Sequence, residues 1–172
     1  MGNYVLAHDN SDYLGTQYVF DGSGGMTFRR SSYYSSEFAW DPVRSRVYYL
    51  ADNISPKDLL YQVIDQSTGE ITEGGETPYH GDYNFFAPIR ITPDGERILL
   101  GSGELYDWDT LSVSGSLGKT IKDAHWQDDL LIDVDTHDVV EIRDGDSGEV
   151  LTAFHYAGQP IRLVFDERQA YL

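Results

Sequence analysis

A chain of 172 residues without cysteine can bury a substantial core, yet it offers neither a disulfide framework nor a thiolate metal site. Its 12 Lys and Arg stand against 29 Asp and Glu, a net charge of -17. That balance repels phosphate backbones and anionic headgroups, so no nucleic-acid partner is expected. No apolar stretch approaches the ~20 residues of a membrane span and no charged-then-apolar leader opens the chain, so no membrane insertion is expected either.

In chain order, the local signals are those of strands. Short runs of β-branched, aromatic and aliphatic residues alternate with Gly, Pro, Asp, Asn and Ser, and no segment holds a helical apolar stripe over two turns. Tyr4-Val5-Leu6-Ala7 resembles Tyr48-Tyr49-Leu50-Ala51, so the chain is expected to open at the second strand, B, of a four-strand unit A to D. Strand C follows near residues 17–20 and D near 26–29. The second unit is complete: A near 38–40, B at 47–51, C at 59–64 and D from Ile71. The third has A at 89–91, the turn Thr92-Pro93-Asp94-Gly95, B at 98–100, C at 105–108 and D at 113–117. Proline presets φ and glycine tolerates φ > 0, which suits that tight turn. The fourth has A at 124–126, B at 130–134, C at 139–142 and D at 150–154. Residues 161–165 then read as another A and 169–172 as part of a B.

Between C and D a turn recurs, marked by Asp21, Asp65, Asp109 and Asp144, and such self-similarity at a period of ~40–45 residues is the mark of stacked or radial repeat units. The units fall at about 1–35, 36–87, 88–122 and 123–160, with 161–172 starting or closing a blade. The fold class expected is all-β, a β-propeller-type array of about four four-stranded antiparallel blades, closed on itself or a fragment of a longer propeller. A C-terminal A strand is suited to complete the first blade, whereas the surplus B argues for an open arc whose bare faces need covering.

The segments Ile91-Thr92-Pro93-Asp94-Gly95-Glu96-Arg97-Ile98-Leu99-Leu100, Tyr106-Asp107-Trp108-Asp109-Thr110-Leu111-Ser112-Val113 and Asp146-Ser147-Gly148-Glu149-Val150 resemble bacterial β-propeller repeats of the WD-like and YVTN type. The resemblance implies a four-stranded blade and no particular partner. It also implies a bacterial protein of the secreted, surface or periplasmic kind, with a cytoplasmic location left open.

Candidate chemistry is sparse. Asp133, Asp135 and His137 alternate, so on a continuous strand they share a face, and two carboxylates with an imidazole suit a divalent cation such as Ca²⁺. The competing reading is a solvated turn at 136–138. Tyr79, Tyr83, Phe85 and Phe86 lie in a connection between units, and exposed aromatics there suit contact with a sugar or protein. Against this stands simple packing between blades. No nucleophile elbow, phosphate loop or His-Glu-x-x-His is present. The function expected is a non-catalytic binding or scaffolding module without a cofactor, recognising a protein or glycan through rim loops, with homo-oligomers through open blade faces as a further expectation. The alternative is a propeller-type hydrolase or lactonase with a divalent cation on its axis.

Overall fold

The computed structural model describes residues 3–10, 14–52, 54–79, 81–158, 162–165 and 170–171. The described chain is all-β, with no helix, and so none long and apolar enough to cross a membrane. The first sheet has three strands, β1 (Val5–Asp9), β2 (Thr16–Phe20) and β3 (Met26–Ser31). The second comprises β4 (Phe38–Asp41), β5 (Arg46–Leu50), β6 (Leu59–Ile64) and β7 (Ile71–Glu76). The third comprises β8 (Ile89–Ile91), β9 (Arg97–Leu100), β10 (Glu104–Asp107) and β11 (Val113–Ser116). The fourth comprises β12 (Ile121–Gln127), β13 (Leu130–Asp135), β14 (Val139–Asp144) and β15 (Val150–His155). A short pair, β16 (Val164–Phe165) and β17 (Ala170–Tyr171), follows. Within each sheet every strand pairs antiparallel with its sequence neighbour, the blade-like order expected from the repeat. The short pair stands apart from the four sheets: among the described residues β16 pairs with β17, and the rest of the expected strand positions at 161–172 lies outside the described residues.

Consecutive sheets stack face to face, and this explains why the B strands read as unbroken apolar runs. In β5, Tyr48 and Leu50 join a core with Leu59, Ile98, Leu100 and Tyr106 of the second and third sheets, while Tyr49 packs on the opposite side with Ala51 and Leu60. In β9, Ile98 and Leu100 face the second sheet and Leu99 meets Leu131 of the fourth. Side chains alternate across a strand, so a sheet covered on both faces needs apolar residues at odd and even positions alike.

The repeated turn is more regular than its sequence. Its aspartates are Asp21, Asp65, Asp107 and Asp144, each accepting backbone N–H groups two to four residues on, at 2.7–3.3 Å. The third unit therefore uses Asp107 where the sequence repeat suggests Asp109. The register shifts agree: a bulge falls in the two residues before each of these aspartates, at Val19/Phe20, Val63/Ile64, Leu105/Tyr106 and Ile142/Arg143. A bulge sharpens local twist, so its recurrence bends all four outer hairpins alike.

Leu111 explains why the third turn is offset from the sequence repeat. Gly69 and Gly148 lie four residues after their aspartates with φ of 75° and 73°, and Leu111 holds the same place with φ of 50°. All three donate their N–H to the aspartate carbonyl, at 2.7, 2.9 and 2.9 Å for residues 69, 111 and 148. The left-handed backbone costs a leucine about 1–2 kcal/mol. Burial of that side chain to 1% exposure in the core between the second and third sheets offsets the strain.

Candidate functional site

The alternating acids of β13 gather around the chain's own cations. Asp133 is fully buried, with Oδ1 2.7 Å from the Lys119 ammonium and Oδ2 accepting the Arg143 Nε–H at 2.8 Å. The Lys119 contact is close in distance but out of line for a hydrogen bond. Lys119 also lies 2.8 Å from Glu141 and 4.0 Å from Asp135, and Arg143 pairs with Glu141 and donates to the Gly148 carbonyl at 2.9 Å. Burial pushes the Asp133 carboxyl up, against the opposing pull of Lys119 and Arg143. An ammonium thus stands where the cation reading places a metal.

The strand ends at Asp135, so His137 does not continue the alternation. Asp135 Oδ1 accepts the N–H groups of His137 at 2.7 Å and Val139 at 3.0 Å, closing the turn, and the His137 side chain is exposed. Burial opposes ionisation of Asp135, yet these N–H groups and Lys119 hold its carboxyl below the ordinary value. The structure brings Asp133 and Asp135 to one cationic cluster and leaves His137 out of it. No group of three or more His, Cys, Asp or Glu side chains among the described residues is arranged to hold a metal ion. Lys119 lies on the β11–β12 connection, beyond the reach of any strand-spacing argument.

The aromatic segment divides. Phe85 is 1% exposed and belongs to the core between the second and third sheets, so it is no surface residue. Its ring lies 5.6 Å from that of Tyr106, which also meets Tyr83 at 6.4 Å. Tyr79 and Tyr83 meet edge to face at 4.6 Å, and the Tyr79 hydroxyl accepts the Val113 N–H at 3.0 Å. Tyr83 and Phe86 are half-buried and, with Pro56, Lys57 and Asn84, wall a recess of about 390 Å³. Packing accounts for Phe85 and Tyr79; Tyr83 and Phe86 retain a face toward solvent.

A third cluster lies along the inner strands, where β4 and β8 meet. Glu37 accepts the Ile89 N–H at 3.2 Å and the Arg90 Nη1–H at 2.6 Å. Arg90 also donates from Nε and Nη2 to Asp123 Oδ1, at 2.8 and 2.5 Å. Asp123 Oδ2 in turn accepts the Leu163 N–H at 2.8 Å. Glu37, Pro88, Arg90, Lys122, Asp123 and Arg162 line a cavity of about 390 Å³. The only hint in the sequence is an acid one residue before the first apolar residue of the inner run at 37 and at 123.

No protein-family model matches this chain, and no curated protein matches it. The reading of function therefore rests on the residues and their arrangement.

Proposed function

We propose that this chain is a non-catalytic recognition module of the β-propeller type, of the WD-like and YVTN kind, in a larger bacterial secreted or surface protein. Its rim loops take a protein or glycan partner. The observation that carries this reading is the recess between residues 55–57 and 81–86: Phe85, locked in the core, anchors a loop that turns Tyr83 and Phe86 toward an open hollow beside Pro56 and Lys57. Aromatic residues on a rigid base give contact area at small entropic cost. The hydrolase alternative is disfavoured because Lys119, Arg143 and Arg90 already neutralise the buried acids that would serve it.

Selection from a random-peptide display library, beside a neutral glycan array, tests this. Ligands selected on the wild type should lose at least tenfold in affinity on Phe86→Ala and Asn84→Arg, with the melting temperature kept within a few degrees. Stoichiometric Ca²⁺ or Zn²⁺ surviving dialysis, together with lactone or phosphoester hydrolysis, would overturn the proposal in favour of the enzyme.

A further inference from the structure

Three gaps separate the four sheets, and the chain fills two of them with paired side chains. Between the second and third sheets the Arg46 guanidinium lies 4.2 Å from the Tyr61 ring centroid and 5.0 Å from that of Trp108, and donates to the Trp108 carbonyl at 2.8 Å. Between the third and fourth, Lys119 and Arg143 are neutralised by Asp133 and Glu141. The gap between the first and second sheets differs. Arg30, on its outer side, forms no ion pair among the described residues.

Two adjoining recesses open there, of about 290 and 330 Å³, and share Arg30, Tyr49 and Leu60 as walls. Ser32 and Tyr33 extend one; Gln62, Gly74 and Glu76 extend the other. Gly74, whose Cβ would stand beside the Gln62 side chain, leaves this point of β7 without a side chain and keeps the hollow open.

The groups in and behind these recesses are polar and incompletely satisfied, with Gln17 lying behind the lining residues rather than among them. Gln17 is 0% exposed, and neither its amide nitrogen nor its carbonyl oxygen makes a well-formed hydrogen bond. The Ser32 hydroxyl is likewise buried without a well-formed hydrogen bond. Both approach the Tyr49 hydroxyl, which accepts the Gln62 Nε2–H at 2.8 Å. Burial raises the Tyr49 phenol above its ordinary value, with Ser32, Arg30, Gln62 and Gln17 acting against it. Each buried polar group left without a partner costs about 1–3 kcal/mol, and such groups in a native protein call for a ligand or ordered water.

We propose that the gap between the first and second sheets is a binding site for a neutral saccharide. The Gln62 amide and the Tyr49 and Ser32 hydroxyls both donate and accept, with the Gln17 amide buried behind them as a positioning group, which matches the vicinal hydroxyls of a sugar and no simple ion. An anion would meet Glu76 and the field of a chain of net charge -17, and a cation would meet Arg30. Leu60 and Tyr33 supply apolar walls, and the recesses sit at the lower end of the roughly 300–1,000 Å³ typical of ligand sites.

This inference deepens the recognition reading and rests on it, but its site is distinct from the Tyr83–Phe86 recess. The test titrates the full ¹⁵N-labelled chain with maltotriose, cellotriose and chitotriose, following the side-chain amide signals of Gln17 and Gln62. At least one trisaccharide should shift both signals, and Tyr49→Phe and Gln17→Leu should each weaken its binding at least tenfold. Gln17→Leu should also melt higher than wild type, because it removes an unpaired buried amide, so loss of binding is not loss of fold. No shift with any trisaccharide overturns the inference. Binding that survives both groove variants but falls with Phe86→Ala overturns it too, and leaves the rim-loop reading intact.

Discussion

Asp123 accepts the Leu163 N–H at 2.8 Å, the same relation that Glu37 holds to Ile89 at 3.2 Å. Ile89 begins the inner strand of the third sheet, and Leu163 immediately precedes β16. In both places a carboxylate in or beside an inner strand holds an N–H at the start of the next strand, at Ile89 in β8 and at Leu163 just before β16. Leu163 also packs on Ile132, Val134 and Val140, the face of that sheet turned away from the third.

Removing that acceptor should free the segment locally. Asp123→Ala is expected to raise amide exchange at Leu163 and to leave the amides of Leu59 and Ile98 protected. Unchanged protection at Leu163 would mean that packing on Val134 holds the segment without the carboxylate.

The Lys119–Asp133–Arg143 cluster is a structural charge network, and breaking one side should be costly. Arg143→Met leaves Asp133 buried beside a single cation and is expected to destabilise the protein by about 3–5 kcal/mol. The double variant Asp133→Leu/Arg143→Met should recover most of that loss, because the Lys119–Glu141 pair at 2.8 Å remains. Urea unfolding of the two variants checks this, and a double variant no better than the single one would contradict it.

Leu111 should invert a familiar order. Leu111→Ala loses the buried side chain, about 2–5 kcal/mol, and keeps a strained backbone. Leu111→Gly loses the same packing but relaxes φ, so it should be the more stable of the two by about 1 kcal/mol, although glycine is ordinarily the worse residue. Thermal melts of both variants decide the matter.

Acid sensitivity follows from the turn aspartates. Side-chain and backbone hydrogen bonds from Ser23 and Gly25 hold Asp21 below the ordinary carboxylate value; Ser67 does the same for Asp65, Thr110 for Asp107 and Ser147 for Asp144. A lowered folded pKa stabilises fully above the unfolded value of about 3.9 and is lost as pH falls through the lower folded values. Asp58 and Asp133, raised chiefly by burial, act in the opposite sense. Their contribution grows as pH falls through their raised values, so they soften the onset. The melting temperature should drop below about pH 4. Changing all four turn aspartates to asparagine, which keeps the acceptor oxygen without titrating, should flatten that limb. An acid limb unmoved by the four changes would place the loss elsewhere.

The strands were legible because they are short apolar runs between turn residues, and β6 and β8 begin and end where the sequence places them. The turn of the third unit was misread by two residues. Asp109 follows a tryptophan and looks like its counterparts, but the positive φ falls on Leu111 and the accepting side chain is Asp107. Nothing local announces a leucine in a glycine's place; only its burial in the neighbouring core reveals why it is tolerated. The pairing of the candidate cation-binding acids was hidden for a similar reason, since Lys119 reaches Asp133 from another strand connection.

Periodicity of apolar runs and turn residues determined by itself that this chain makes successive antiparallel sheets, because hydrogen bonding between sequence neighbours is a local matter. Which acids are neutralised, which aromatics are core, and which inter-sheet gap stays open were decided only in three dimensions. Those outcomes depend on side chains from different sheets, where desolvation and charge pairing act over distance in space rather than along the chain.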